Sequence, residues 1–397
     1  MRLSPVPIAL TLMAVLSGCG SSPAKDSVTD PSSSPAATAA GSRSAPQEKA
    51  KPRDGAARRA PGTYSAAALT GDYADYPEAR ALIERLAREQ GFDKAYLNGV
   101  FSRVERQQWI LDLVNRPPAP PATGPTGSWT RYRAKFLTED RIGTGARFWG
   151  EHARDLERAR RQYGVPPEYV VAIIGVETHY GANVGRQKVI EALATLAFDF
   201  PRRADFFTKE LETYLVMARD EGFDPFAPVG SYAGAMGLGQ FMPSSFQRYA
   251  VDFDGDGRRD LWNPVDAIGS VANYFSQHGW RGGEPVAVPA VARGREPQVM
   301  KADYTTRYRI DELAGSGVTA SVPLDGQGEV SLLRLDAVGG YEYWLGLGNF
   351  YVITRYNQST YYAMAVHQLA KAVGVRHEDA RGPVLTRREE RSPEPAL

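Results

Sequence analysis

Hydrophobic and polar positions divide the chain into stretches with different patterns. Residues 8–16 form a short apolar run, and from Gly20 to about Gly71 large apolar residues are almost absent. From Tyr73 onward apolar positions recur at helical spacing, and between residues 284 and 347 short β-branched runs broken by Gly and Pro replace them. The pattern predicts an α+β chain that is mainly α, with a small β-rich portion.

Individual segments carry helix start and stop signals, with Pro or Asn at the beginning and Gly at the end. We expect helices over residues 77–90, 93–106, 145–163, 166–181, 263–280 and 361–373, and one that follows Arg202 and runs to Arg219. Residues 350–356 are predicted to be extended. The charged, Pro-containing tail after Val375 is predicted to be loose.

The apolar run near the amino terminus has the proportions of a secretory signal and is too short for a spanning helix. It ends at Leu16-Ser17-Gly18-Cys19, which resembles the box at which bacterial lipoproteins are cleaved and lipidated. We expect a signal peptide at 1–18, a lipid anchor on Cys19 and a disordered tether over 19–72. In bacterial lipoproteins, a glycine directly after the lipidated cysteine, as at Gly20, is compatible with delivery to the outer membrane. We therefore expect the protein at the periplasmic face of that membrane. The alternative is a fortuitous cysteine near an ordinary cleavage site.

Composition and charge remove several classes of function. The 397 residues carry a formal net charge of +1, which gives no argument for a nucleic-acid partner. This length predicts two or three subdomains. Cys19 is the only cysteine, so no internal disulfide can form. The five histidines are scattered without a His-Glu-x-x-His motif, so a metallohydrolase is poorly supported.

One acidic residue lies on an apolar helical stripe. Val170, Ile173 and Ile174 fall at helical spacing, and Glu177 is the next member of that stripe. Apolar surroundings disfavour the ionised form of a carboxyl, which raises its pKa and lets it hold a proton near neutral pH. A general acid that protonates a departing sugar oxygen needs this property. The alternative is a structural glutamate at a frayed helix end, either solvated or paired with an arginine.

Two further stretches carry candidate ligand-binding side chains. Arg202 and Arg203 could clamp the carboxylates of a peptide-bearing glycan, or could be ordinary surface charges. Residues 230–245 are rich in glycine, which lets the backbone approach a ligand closely, with Ser231 and Gln240 available to form hydrogen bonds. No Lys-Ser/Thr pair follows these glycines, so this is not a phosphate loop. A tight turn under a neighbouring helix is the structural alternative.

Residues 252–266 read as the opening of an EF-hand-type calcium loop. Asp252, Asp254 and Asp256 alternate along a turn, with Gly257 at the sixth position. Clustered carboxylates repel one another unless a cation lies between them. The twelfth position is Asn263 where a glutamate is usual, so Asp266 is the expected last ligand. The alternative is a solvated acidic turn, and a single loop argues against a calcium sensor.

Four motifs together resemble a known family. Residues 175–178, 237–245, 261–270 and 355–359 are similar to those of the membrane-bound lytic murein transglycosylase B family, over roughly residues 73–373. The resemblance implies a lysozyme-like helical core over 146–283, completed by 348–375. It also implies an accessory helical region over 73–145, the β-rich portion over 284–347 and a loose tail over 376–397.

The resemblance also implies a reaction. The family cleaves the β-1,4 bond between N-acetylmuramic acid and N-acetylglucosamine in peptidoglycan without water and forms a 1,6-anhydromuramoyl end, with Glu177 as the single acid and base. An intramolecular hydroxyl removes the need for the second carboxylate that glycosidases use. The matching saccharide-groove positions are Ser231, Gln240, Tyr274, Tyr356, Asn357 and Tyr362. The matching structural Ca²⁺ ligands are Asp252, Asp254, Asp256, Asp266 and the carbonyl of Arg258.

Other functions stay open at this point. A muramidase that hydrolyses with water would share the fold, and its products would differ. A non-catalytic peptidoglycan-binding lipoprotein would not need an acidic side chain at position 177. The expected partners are glycan strands of peptidoglycan, the outer membrane through the lipid anchor and, as a possibility, proteins of cell-wall synthesis. The sequence gives no argument about the oligomeric state.

Overall fold

A computed structural model describes residues 64–117, 126–324 and 328–381. The predicted signal peptide, Cys19 and most of the predicted tether lie outside the described residues, as does the tail after residue 381. Contacts with the folded part begin earlier in the chain than Tyr73, because the Tyr64 hydroxyl donates to Asp224 Oδ1 at 2.8 Å.

Helices dominate the first two thirds of the described chain. They are α1 (Pro77–Gln90), α2 (Lys94–Phe101), α3 (Gln108–Val114), α4 (Ser128–Arg133), α5 (Glu139–Glu151), α6 (Ala153–Tyr163), α7 (Pro167–Thr178), α8 (Val189–Asp199), α9 (Ala204–Glu221), α10 (Pro243–Tyr249) and α11 (Pro264–Gln277). The short strands β1 (Gln187–Lys188) and β2 (Val229–Gly230) pair antiparallel between them.

The remaining elements form the β portion and the end of the chain. They are β3 (Ala287–Ala292), α12 (Glu296–Val299), β4 (Tyr308–Arg309), α13 (Ile310–Gly315), β5 (Val318–Ala320), β6 (Glu329–Ala337), β7 (Gly340–Gly346), α14 (Gly348–Tyr356) and α15 (Thr360–Arg381).

Helix α7 lies at the centre of the main core. Pro167 fits its first turn because a proline there loses no intrahelical hydrogen bond. Almost every following residue is buried, as expected for a helix that is apolar all round. Helices α5, α6, α11 and α15 pack around it. The carboxyl end of α7 is thereby fixed from several sides.

The β portion is a five-stranded antiparallel sheet in the order β4-β6-β7-β3-β5. Side chains of a strand alternate between the two faces of the sheet. On β6, Leu332 therefore joins a small separate core, whereas its neighbour Leu333 packs into the main core. The sheet is thus attached to the helical body through one of its faces.

Several predicted boundaries were wrong. Residues 350–356 belong to helix α14 and are not extended, because Phe350, Ile353 and Thr354 share a buried helical stripe. The segment predicted as one helix over 145–163 is two, divided at His152. The helix predicted over 93–106 ends at Phe101, and helix α8 was missed. Helix α15 continues to Arg381, so residues 376–381 are helical and do not belong to a loose tail.

The predicted fold class is confirmed, since the described chain is mainly helical with a small β portion. Helix α1 has the predicted bounds 77–90, with Pro77 at its start and Gly91 in the left-handed region after its end. Strands β3, β5 and β6 lie where β-branched runs predicted them.

Candidate active site

Glu177 lies in the last turn of α7, with its side chain half-buried. The hydroxyl of Tyr362, itself fully buried, donates to Glu177 Oε1 at 2.6 Å. Burial raises the pKa of Glu177 to about 7, although the Tyr362 hydrogen bond acts in the opposite direction. Among the described residues Glu177 forms no ion pair, which leaves the arginine-paired alternative without support. The carboxyl can therefore carry a proton near neutral pH.

Tyrosine side chains surround this carboxyl. The negative charge of Glu177 contributes to the raised pKa values of Tyr132, Tyr356 and Tyr362, after the larger effect of burial. The Tyr356 hydroxyl donates to the carbonyl of Gly239 at 2.5 Å, which ties α14 to the glycine-rich loop. Tyr132, on the short helix α4, was not predicted. It is more than forty residues away in sequence and carries no motif that could have indicated it.

The glycine-rich loop is fastened to the end of α7. The Thr178 hydroxyl donates to the carbonyls of Ile174 at 3.1 Å and Leu238 at 3.0 Å. Gly237 has a φ of +68°, and a Cβ there would lie 2.3 Å from Leu261 Cβ. Only glycine tolerates both conditions. The loop is therefore held at the catalytic end of the helix.

Ser231 and Gln240 brace this loop from within. Ser231 Oγ accepts from the amides of Ala233 and Ala235, at 3.3 and 3.0 Å. Gln240 Nε2 donates to the carbonyls of Val184 and Gly237, at 3.2 and 2.9 Å. Both side chains remain partly exposed. The structural reading of the loop as a tight turn is thus compatible with a binding role.

A groove of about 710 Å³ brings most of the other predicted binding residues together. Tyr274 is fixed there through its hydroxyl, which donates to the carbonyl of Arg355 at 2.6 Å, and its ring lies 4.8 Å from that of Tyr356. The lining includes Arg202, Arg203, Phe206, Glu210, Ser244, Tyr274, Arg355, Tyr356, Asn357 and Gln358. Arg202 is exposed, whereas the Arg203 guanidinium lies 4.1 Å from the centre of the Phe206 ring. Charged and aromatic groups therefore line the same groove.

The acidic loop brings three carboxylates together. Oxygens of Asp252, Asp254 and Asp266 lie within 4.8 Å of one another, the only such group among the residues that the structure describes. Asp266 is buried and accepts from the amides of Phe253, Asp254 and Asp260, at 2.7, 3.2 and 2.8 Å. Burial raises the pKa of Asp266. The chemistry of this donor set suits a hard cation.

Two of the expected metal ligands lie outside that group. Asp256 Oδ1 accepts from the Arg258 amide at 2.8 Å, and the carbonyl of Arg258 stays a prediction. Asn263, at the position where a glutamate is usual, donates to Asp254 Oδ2 at 2.6 Å. Its own Oδ1 accepts from the Val265 amide, so it also caps α11 as its type predicted.

Acid catalysis on a sugar requires a carboxyl that is still protonated near neutral pH. Glu177 meets this condition, and Tyr356, on whose pKa its charge acts, lines the groove. These features indicate the class, a glycan-cleaving enzyme. The particular family follows from comparison. The family model described as "Transglycosylase SLT domain" matches residues 74–371, and the chain belongs to this family.

Relatives within the family agree with this assignment. The chain is 51% identical over 311 residues to membrane-bound lytic murein transglycosylase B of Escherichia coli strain K12, covering 77% of this chain and 85% of that protein. It is 49% identical to the E. coli lytic transglycosylase Slt35 solved in complex with calcium, with a TM-score of 0.74 over 78% of this chain and 97% of that one. It is 32% identical to SltB3 of Pseudomonas aeruginosa solved in complex with NAG-anhNAM-pentapeptide, with a TM-score of 0.65 over 74% of this chain and 78% of that one.

Within the described residues, none of the helices combines the length and the apolar character needed to cross a bilayer. The lipid anchor on Cys19 stays a prediction from the sequence.

Proposed function

We propose that this chain is a lytic transglycosylase that cleaves the β-1,4 bond between N-acetylmuramic acid and N-acetylglucosamine in peptidoglycan. The observation that carries the proposal is the isolation of Glu177. Its pKa is raised to about 7, and among the described residues no second carboxylate contributes to that shift. A hydrolase of the usual two-carboxylate kind needs such a partner as nucleophile or base.

In the proposed reaction Glu177 acts twice. It first donates its proton to the glycosidic oxygen while the bond between that oxygen and C1 of the muramic acid breaks. The resulting carboxylate then removes the proton of the 6-hydroxyl of the same sugar as O6 bonds to C1. The product carries a 1,6-anhydro ring, and Glu177 is protonated again. The Tyr362 hydroxyl, 2.6 Å from Oε1, stabilises the carboxylate between the two steps.

The groove residues would bind the glycan. Tyr274, Tyr356 and Asn357 line this groove and would contact the sugar rings. Ser231 and Gln240 would contact the saccharide beside Glu177. Arg202 and Arg203, which also line the groove, would bind carboxylates of the stem peptides.

Calcium is the proposed cofactor, with Asp252, Asp254 and Asp266 as the residues that would hold it. The resemblance adds Asp256 and the carbonyl of Arg258. The bound cation would neutralise crowded carboxylates and thereby brace the loop. The same loop precedes α11, which carries Tyr274. The E. coli Slt35 complex with calcium supports this proposal.

Attachment to the outer membrane through a lipid on Cys19 is proposed from the sequence. The naming of the E. coli relative as membrane-bound supports it. Glycan strands of peptidoglycan are the proposed partner, and proteins of cell-wall synthesis are proposed as further partners.

The decisive test is mass spectrometry of muropeptides released from purified sacculi by a form that lacks residues 1–19. Products that end in anhydromuramic acid are expected. Reducing ends would establish the hydrolytic alternative, because water would then have reached C1. No release at all, with sacculi still bound, would favour the non-catalytic binding lipoprotein.

A further inference from the structure

Asp336, near the end of strand β6, accepts an unusual number of hydrogen bonds from a distant part of the chain. Its partners are the amides of Thr126 at 2.7 Å, Gly127 at 2.9 Å and Ser128 at 3.3 Å, and the hydroxyls of Thr126 at 2.6 Å and Ser128 at 2.7 Å. These bonds hold the pKa of Asp336 well below its usual range. The partners precede Asp336 by about two hundred residues and lead directly into α4.

A second acid of the sheet holds the same helix. Glu342, on β7, accepts from Trp129 Nε1 at 3.2 Å and lies 3.5 Å from the Arg133 guanidinium. Trp129 is fully buried. The β portion therefore contacts α4 at its beginning through Asp336 and along its length through Glu342. Both of these side chains are carboxylates.

Helix α4 in turn reaches the catalytic carboxyl. Its Tyr132 is one of the three tyrosines whose pKa values the charge of Glu177 raises. The Tyr132 ring lies 5.8 Å from the ring of Tyr361. Tyr361 shares its hydroxyl with Ser128 Oγ at 2.9 Å and with the Asp336 amide at 3.3 Å. The next residue is Tyr362, which donates to Glu177. A short chain of contacts thus joins the sheet to the catalytic site.

We infer that Asp336 is a positioning residue of the catalytic site: by fixing the beginning of α4 it keeps Tyr132 packed against Tyr361 and close to Glu177. The inference rests on the proposed function. Through Asp336 the β portion would influence the reaction indirectly, although this portion contributes no residue that was predicted to bind the glycan.

Loss of the Asp336 hydrogen bonds should change the access of water to Glu177. Among the described residues, the titratable groups that interact with this carboxyl are Tyr132 on α4, Tyr356 on α14 and Tyr362 on α15, and all three are neutral at neutral pH. If α4 loosens, water replaces Tyr132 and stabilises the ionised form. The pKa of Glu177 then falls. Since the first step needs the protonated form, the fall of kcat on the alkaline side must begin at lower pH.

The test compares Asp336→Ala with Asp303→Ala in the same soluble chain. Asp303 is a matched control because its carboxylate also accepts several hydrogen bonds, at 2.6 to 3.2 Å, but only from Thr305 and Thr306 beside it. For Asp336→Ala we expect the alkaline limb of kcat to move down by about half to one pH unit, kcat at pH 7.5 to fall about threefold to tenfold, and KM to stay within about twofold. Asp303→Ala should leave the limb in place.

Hydrogen–deuterium exchange supplies a readout that does not depend on turnover. Exchange of the amides of residues 126–133 should rise in Asp336→Ala and stay at the wild-type level in Asp303→Ala. If Asp336→Ala fails to fold, Ser128→Ala removes one hydroxyl bond to Asp336 and one to Tyr361, and should move the limb in the same direction by less.

The outcomes separate the two proposals. If Asp336→Ala exchanges the amides of residues 126–133 faster but keeps the wild-type alkaline limb of kcat, the inference is overturned, since Asp336 would then serve stability alone. An equal shift in Asp303→Ala would overturn it as well. A wild-type protein that releases no anhydromuramoyl product would instead remove the proposed function, whatever the exchange of residues 126–133.

Discussion

Glu177 and the acidic loop use the same functional group in opposite surroundings. Glu177 is a single carboxyl at the end of an apolar helix, and its environment favours the protonated form. Asp252 and Asp254 are exposed, and their oxygens lie within 4.8 Å of each other and of Asp266. Backbone amides of the loop hold these oxygens in place, as those of Gly255 and Gly257 do for Asp252 at 2.8 Å each.

The difference shows that the surroundings of a carboxyl decide its chemical role. Desolvation without a countercharge makes a proton donor, whereas crowding of carboxylates that the backbone keeps oriented makes a cation site. Both arrangements cost free energy in the absence of proton or cation, so each should respond to a different solution variable. Glu177 should respond to pH and the acidic loop to calcium.

The largest expected effect is the loss of turnover in Glu177→Gln. The amide cannot donate a proton, but it preserves the shape and can still accept from Tyr362. Release of anhydromuropeptides from sacculi should fall by about 10²–10⁴-fold, while binding to sacculi in a pelleting assay persists. Glu168→Gln, in the first turn of the same helix, is the control and should retain its activity. A Glu177→Gln rate near that of wild type would end the assignment.

The same substitution should change how stability depends on pH. The pKa of Glu177 is about 7 in the folded protein against an ordinary value of 4.5. Between these values the unfolded chain has released the proton and the folded protein has kept it, so stability falls as pH rises through this window. The loss is at most about 3.5 kcal/mol, since one pKa unit corresponds to about 1.4 kcal/mol. Between pH 5 and pH 8, the thermal unfolding midpoint of Glu177→Gln should therefore rise relative to that of wild type. An equal difference between the two proteins at both pH values would contradict this.

Calcium should stabilise the chain through the acidic loop. A ligand at about a hundred times its dissociation constant adds about 2.7 kcal/mol to the free energy of unfolding, so the thermal midpoint should rise by several degrees and fall again with a chelator. Asp254→Asn should lose most of this response. Asp220→Asn, an exposed acid outside the loop, should keep it. A wild-type midpoint that ignores excess calcium would argue for a merely solvated acidic turn.

A smaller effect is expected for Tyr362→Phe. Its hydroxyl donates to Glu177 and lowers the pKa of that carboxyl, so its removal should raise the pKa further. The alkaline limb of kcat should then move to higher pH by about one unit. Tyr169→Phe, which removes a buried hydroxyl bonded to His367 elsewhere on α7, should not move the limb. A shift to lower pH in Tyr362→Phe would show that the hydroxyl excludes water rather than stabilising charge.

The smallest effect concerns the margin of the groove. Arg202 is exposed, and an exposed charge contributes little to affinity. Arg202→Gln should raise KM about twofold to fivefold for glycans that carry stem peptides and leave kcat unchanged. Arg293→Gln, in the β portion, is the control. An equal rise in KM for glycans without peptides would assign Arg202 to the sugar and not to the peptide.

Much of this molecule could be predicted because the signals are local. Helix α1 was predicted with its observed bounds, since Pro77, Gly91 and the apolar period between them lie within fifteen residues. Helix α14 was mistaken for an extended segment, because a short apolar run fits both periods and only its packing decides between them. The division of the chain into catalytic and accessory portions remains a prediction.

The sequence by itself determined which chemistry is available. It placed Glu177 on an apolar face, collected the aspartates of the acidic loop and supplied the motifs of the family, because spacing along one helix or turn fixes which side chains are neighbours. The tertiary structure decided everything that depends on distant partners. Tyr132 came close to Glu177, and Asp336 came to bond the beginning of α4, only when α4 met the sheet and α15. No local pattern encodes such pairings, since they arise from the packing of segments that lie more than two hundred residues apart.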